Sequence, residues 1–228
     1  MSMPKIMSKI KLVIFDVNQT MFSLTKVENI FKRNGLRKEL VDQWFFSILK
    51  EGFSYSLSGK FVDFKTVSRN ELKKILLQSK IILKQNIDDL ILDSFRSLEI
   101  HSDIPVALSF FKQKKIKIIT VTNGSKSNTQ ILLKKNKIDH LIDDCFSIDQ
   151  FQKWKPHRDI YLSVCKLMKT DPKYSLMIAA HGWDINGAKL AGLKTAYITR
   201  YEKEISDFYL KPDYAGKDCN EIIKQFNL

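Results

Sequence analysis

Leu12-Val13-Ile14-Phe15-Asp16-Val17-Asn18-Gln19-Thr20 decides how the rest of the chain is read. Four apolar residues in succession, two of them β-branched, fit a strand buried on both faces, as in a parallel sheet. The run ends on a carboxylate, so Asp16 is delivered to the carboxyl end of that strand. Open α/β sheets place their ligands at that edge. A single Asp after an apolar run is also an ordinary turn or cap residue, so the reading depends on whether other segments repeat the layout.

Three do. Ile116-Lys117-Ile118-Ile119-Thr120-Val121 leads into Thr122-Asn123-Gly124-Ser125, bringing a hydroxyl and a carboxamide to a second strand end. Cys145-Phe146-Ser147-Ile148 precedes a loop with Lys155-Pro156, where Pro favours a helix start and leaves Lys155 just ahead of it. Leu176-Met177-Ile178-Ala179-Ala180 leads into His181-Gly182-Trp183-Asp184. Right-handed βαβ connections bring all four exits to one edge of one sheet. The expected cluster holds two carboxylates, a hydroxyl, a carboxamide, an ammonium and an imidazole.

Between Thr20 and Ile104 the strand pattern stops. Leu40, Val41, Trp44, Phe45, Ile48 and Leu49 recur at the three and four spacings of an amphipathic helix, which is expected to end near Gly52. Phe64 to Leu77 and Ile87 to Phe95 read as further helices, and Asp213-Tyr214-Ala215 to Phe226 as a short last strand and a closing helix.

The ordered set resembles the haloacid dehalogenase-like hydrolase superfamily, and most closely its type II 2-haloacid dehalogenase-like branch, over nearly the whole chain. Asp16 is similar to the family nucleophile, and Thr122-Asn123-Gly124 to the second motif. Lys155-Pro156 with Tyr161 is similar to the third motif, and Trp183-Asp184 with Gly187-Ala188 and Ala191-Gly192 to the fourth. The expected fold is α/β, a Rossmann-like doubly wound, mostly parallel sheet with an inserted helical cap. Residues 1–20 and 104–228 would form the catalytic core and 21–103 the cap.

A carboxylate at a strand end can attack carbon or phosphorus and split one hard displacement into two easier steps. Phosphatases of the superfamily carry an Asp two residues after the nucleophile and further fourth-motif acids that hold magnesium. Here those positions are Asn18, Ala179 and Ala180. A hard cation needs more oxygen ligands than Asp16 and Asp184 supply. The expectation is therefore a metal-free hydrolase with no cofactor, nominally a 2-haloacid dehalogenase. A magnesium-dependent phosphatase acting on a small phosphorylated metabolite is the alternative.

The resemblance implies that Asp16 attacks C2 of the substrate and forms an ester. Lys155 would keep Asp16 ionised, with Asp184 orienting Lys155 and helping to position the water. Thr20 and Asn18 would order the site, Thr122 and Asn123 would meet the bound carboxylate or departing halide, and Trp183 would wall the pocket. His181, where many members carry Asn, could activate the hydrolytic water or be a loop histidine bonded to the backbone. Dehalogenases of the branch place an Arg directly after a cap Trp, and here Phe45 follows Trp44. Loss of that charge-assisted contact would cost on the order of 2–4 kcal/mol of barrier. Either Lys50 or Arg69 substitutes for it, or the substrate differs. Phe45 and Phe46 are equally readable as cap core. Gly187 and Gly192 are expected to allow close helix packing, and His101, His140 and His157 to lie at the surface or cap helices.

Bulk properties fit one enzyme acting on a small anion. The 228-residue chain carries a formal charge of +13, a field that draws in anionic substrates. Its lysines are scattered along polar faces with no nucleic-acid-binding motif, so no nucleic-acid partner is expected. No apolar run approaches the roughly 18 residues of a membrane span. Met1 to Lys9 lacks the apolar stretch of a secretory signal, and Cys145, Cys165 and Cys219 read as reduced core thiols. A cytoplasmic protein without membrane partners is the expectation, and the resemblance also admits a homodimer.

Overall fold

In the computed structural model, which describes residues 10–78 and 87–226, the opening run is a fully buried central strand, β1 (Leu12–Phe15). The segment 1–9, read above as lacking an export signal, lies outside the described residues. β1 pairs in parallel with β4 (Lys117–Thr122) on one side and β6 (Ser175–Ala179) on the other. Beyond β4 lies β5 (Asp144–Ser147); beyond β6 lie β7 (Lys194–Ile198) and β8 (Tyr214–Gly216). All five pairings are parallel. Taken in chain order the strands stand 3-2-1-4-5-6, the Rossmann-like doubly wound arrangement, whose order reverses beside β1. β7, which was not among the strands expected from sequence, completes the series.

The apolar character of the strands follows from their surroundings. Parallel strands covered on both faces have no solvated side, so β1, β4 and β6 read as continuous apolar runs. Helices α5 (Asp103–Gln113) and α9 (Cys219–Lys224) pack on one another, as do α7 (Arg158–Leu167) and α8 (Gly182–Leu190). Helix α6 (Lys126–Lys135) lies against β5. Each fully buried Leu, Ile or Phe of the sheet contributes roughly 1.5–3 kcal/mol relative to exposure.

Among the described residues four helices separate β1 from β4's lead-in: α1 (Thr25–Arg33), α2 (Glu39–Leu57), α3 (Phe64–Gln78) and α4 (Ile87–Ser94). The strands β2 (Phe22–Ser23) and β3 (Glu99–Ile100) pair antiparallel at the two ends of this helical stretch. Arg200 fastens the same place: its guanidinium donates to the Thr20 carbonyl at 3.0 Å and pairs with Asp103 at 2.6 Å. The other side of that pairing is shared, since Asp103 also accepts from the Cys219 amide at 2.7 Å. His101 beside it is partly buried, and burial and the Arg200 charge depress its pKa to about 4.

Helix α2 runs on to Leu57, past the expected stop at Gly52. The glycine is there for another reason: a Cβ on Gly52 would sit 2.2 Å from the Trp154 ring. That indole is fully buried and fixed, its ring nitrogen donating to Val62 O at 2.9 Å and its backbone amide to Ser56 Oγ at 2.6 Å. Ala is normally the better helix residue by about 1 kcal/mol. Gly52→Ala should nevertheless destabilise by about 1–3 kcal/mol through overpacking, read as a lower thermal midpoint; a higher midpoint would contradict the contact. Gly187 likewise admits Pro156, whose Cβ would lie 2.5 Å from an added methyl. Gly192 does not serve close packing as expected: its φ is +90° with nothing nearer than 3.8 Å, so a left-handed turn selects it.

Candidate active site

The four strand exits converge as expected, and their centre is one buried ammonium between two carboxylates. Lys155 Nζ is 2.8 Å from Asp16 Oδ1, 2.6 Å from Asp184 Oδ2 and 2.9 Å from the Val121 carbonyl. Its three donors are thus all used, and its side chain has no exposure. The second oxygens are also engaged. Thr20 Oγ1 donates to Asp16 Oδ2 at 2.6 Å, and Tyr161 donates its phenolic proton to Asp184 Oδ1 at 2.5 Å. Thr20 Oγ1 in turn accepts from the Ala180 amide at 2.9 Å, joining the β1 exit to the β6 exit.

Removing these charges from water is costly unless each is paired and hydrogen-bonded. Burial alone would raise Asp16, but the Lys155 charge outweighs it and holds the carboxyl well below its ordinary value. Burial would lower Lys155, but the two carboxylates raise it, so the ammonium persists. Asp184 goes the other way: full burial and the neighbouring Asp16 raise it despite Lys155. Burial and the Asp184 charge push the Tyr161 phenol well up, which keeps it a donor.

Lys155 does not stand directly ahead of a helix. The Lys155-Pro156 peptide is cis, and α7 starts later, at Arg158, where the His157 ring caps it by accepting from the Asp159 amide. Asn123 is what holds the lysine backbone: its amide oxygen accepts from Lys155 N at 2.9 Å and its nitrogen donates to Lys155 O at 3.4 Å. Asn123 thus ties the end of β4 to the backbone of Lys155. Thr122 Oγ1 accepts from the Gly124 amide at 2.9 Å. Asp184 has one oxygen on Lys155 and the other on Tyr161.

His181 is buried and is not bonded to the backbone through its ring. Nε2 is 2.9 Å from Gln19 Oε1, and Nδ1 is 3.2 Å from Asp16 Oδ2 without the geometry of a hydrogen bond. Trp183 stacks on the ring at 5.3 Å and Phe45 at 6.2 Å, while Lys155 Nζ stands 5.7 Å from the Trp183 ring centre. Phe45 is therefore both helical-insert core, packed on Phe64, and a wall of the site. Phe46 is exposed. Neither Lys50 nor Arg69 replaces a charge after Trp44: Lys50 pairs with Glu51 in solvent, and Arg69 pairs with Asp88 and Asp89 inside the insert.

A cavity of about 360 Å³ lies between the insert and the sheet edge, lined by Asn18, Thr122 and Gly124 from the sheet and by Phe64, Lys65 and Arg96 from the insert. Val17 and Asn18 reach it; the Asp16 carboxylate, 6% exposed, does not line it. The two cations facing it, Lys65 and Arg96, were not singled out from sequence because each is one lysine or arginine among 38. Gln19 was also missed, as a polar loop residue with no spacing to mark it.

Magnesium fits this site poorly. Among the described residues no group of three or more His, Cys, Asp or Glu side chains is arranged to hold a metal ion. Both acids already spend their oxygens on Lys155, Thr20 and Tyr161, and the ammonium occupies the gap between them. A hard cation would have to displace that network.

Known proteins are similar to this chain in sequence and in fold. The (S)-2-haloacid dehalogenase of Pseudomonas sp. strain YL is 22% identical, over 96% of this chain and 96% of its own. (S)-2-haloacid dehalogenase 1 of Pseudomonas sp. strain CBS-3 is 22% identical, over 86% of this chain and 88% of its own. The solved structure of L-2-haloacid dehalogenase from Xanthobacter autotrophicus superimposes with a TM-score of 0.86 at 21% identity, covering 96% of this chain and 98% of that one. The family model for haloacid dehalogenase-like hydrolase matches residues 38–198, well over half of the sequence. By that match the chain belongs to the haloacid dehalogenase-like hydrolases.

Proposed function

We propose that this hydrolase cleaves carbon–halogen bonds in a small 2-halo acid through an ester on Asp16, without a metal ion or other cofactor. One carboxylate oxygen of Asp16 forms a bond to C2 as the carbon–halogen bond breaks and halide leaves with the electron pair. Water then adds to the Asp16 carbonyl carbon, the bond from that carbon to the ester oxygen breaks, and a 2-hydroxy acid departs carrying that oxygen. The carrying observation is the Asp16–Lys155–Asp184 array, in which an ammonium keeps the nucleophile ionised and neither acid is left free for a cation. An amide at Asn18, where a phosphatase needs a proton donor, favours carbon over phosphorus. The names of the similar proteins, 2-haloacid dehalogenases, agree with the reading.

The helical insert, residues 21–103, acts in this reading as the cap that excludes water while the ester forms. With Phe45 in place of a charged side chain, Lys65 and Arg96 are the cations on the cavity wall, where Asp63, Asp93 and Asp149 also stand. Purified protein incubated with 2-chloropropionate and with p-nitrophenyl phosphate, each with magnesium and with chelator, is expected to release chloride equally with and without chelator. Magnesium-dependent phosphate release without chloride release would overturn the reading.

A further inference from the structure

Gln19 is an unusual residue at its position. Its φ is +62°, in the left-handed region that glycine adopts freely and other residues adopt at a cost. The backbone is held there: the Gln19 amide donates to Phe22 O at 2.8 Å, and the next residue, Thr20, bridges Asp16 and Ala180. A glycine would satisfy that turn. The glutamine side chain is instead buried, and its amide oxygen stands 2.9 Å from His181 Nε2. Strained backbone retained beside a reactive group points to a task for the side chain.

Given an Asp16 ester, as proposed above, we infer that Gln19 is a positioning residue that fixes the tautomer of His181. Its carbonyl oxygen only accepts, so Nε2 carries the proton and Nδ1 is left as the basic nitrogen. Nδ1 is 3.2 Å from Asp16 Oδ2, beside the carboxyl group whose carbon the water attacks. In the free enzyme Nδ1 makes no hydrogen bond to Asp16 Oδ2. Esterification removes the anionic charge of Asp16 and leaves Nδ1 to take the proton of the attacking water, which it returns to the departing hydroxy acid. Phe45 and Trp183 both stack on the imidazole ring.

The turn geometry supplies a test that separates function from folding. Gln19→Gly suits φ +62° and is expected to keep or raise the thermal midpoint. In rapid mixing with 2-chloropropionate it should release about one equivalent of chloride at the wild-type rate. Steady-state kcat should then fall at least ~10-fold, while an Asp16 adduct accumulates by intact-protein mass spectrometry. Gln19→Met, similar in length and lacking the acceptor, should behave the same way; Gln19→Glu, which keeps the acceptor, should hydrolyse the ester within a few-fold of wild type. Wild-type-like turnover without adduct in both Gln19→Gly and Gln19→Met would overturn the assignment, as would an equal slowing of burst and steady state. Absence of any adduct or chloride in wild type itself would instead sink the ester reading on which the assignment rests.

Discussion

Asp16→Asn is expected to lower kcat for chloride release by roughly 10⁴-fold or more while the protein stays folded. The scale follows from removing a member of a reacting unit, whose loss is not made up by the groups around it. A carboxamide oxygen is a poor nucleophile, and the ammonium of Lys155 makes it poorer still by drawing on the same oxygen. Folding survives because the substitution keeps the shape: the carboxamide oxygen can take the place facing Lys155, its NH2 can donate to Thr20 Oγ1, and Lys155 retains Asp184 at 2.6 Å and Val121 O. Circular dichroism and a thermal midpoint within a few degrees of wild type, alongside lost turnover, are the expected pair of results. Turnover at the wild-type rate in the Asp16→Asn variant would remove Asp16 from the chemistry.

Lys155→Met is expected to cost the most stability of any single change at the site. The apolar chain fills the space, but two carboxylates are left buried with no cation between them, a loss of about 3–5 kcal/mol. The pH dependence carries the signature. In wild type, Asp16 is held below its unfolded value, so its contribution is present above that value and is lost as pH falls through the folded one. Without the ammonium, burial dominates and raises both acids. A raised group's contribution is present below the unfolded value and lost as pH rises through the folded one. Urea midpoints should therefore show the gap between wild type and Lys155→Met widest near neutrality and narrowing as the pH is lowered towards about 4, the ordinary carboxylate range. A gap independent of pH would mean that the lysine acts only by filling space.

The residues at the heart of the site were legible because each announces itself locally. Asp16, Thr122 and Asp184 follow buried runs too apolar to be anything but strand interiors, and the parallel topology then brings their exits together. What sequence could not show depends on side-chain direction or on pairs distant along the chain. Asn123 was readable as a polar group at a strand end, but not that its amide spans the Lys155 backbone 32 positions away. Gly52 carries the usual mark of a helix end; only the packed indole of Trp154, far along the chain, gives its true reason. The proline after Lys155 marks a helix start by rule, yet α7 begins at Arg158, behind the His157 cap. The pairing of Gln19 with His181 rests on a positive φ that no hydrophobic period records. The helical insert was readable by periodicity, although the charges placed in it for a leaving group, Lys50 and Arg69, turned out to be engaged with Glu51, Asp88 and Asp89.

The central claim is that Asp16 becomes covalently attached to the substrate, and isotope placement in a single turnover reads that directly. With enzyme in excess over 2-chloropropionate in H₂¹⁸O, water adds to the Asp16 carbonyl carbon, so ¹⁸O should appear in the peptide containing Asp16 and the first-formed lactate should carry the unlabelled oxygen. Label in the lactate with none in the Asp16 peptide would mean that water attacks C2 directly, and the covalent mechanism would be wrong.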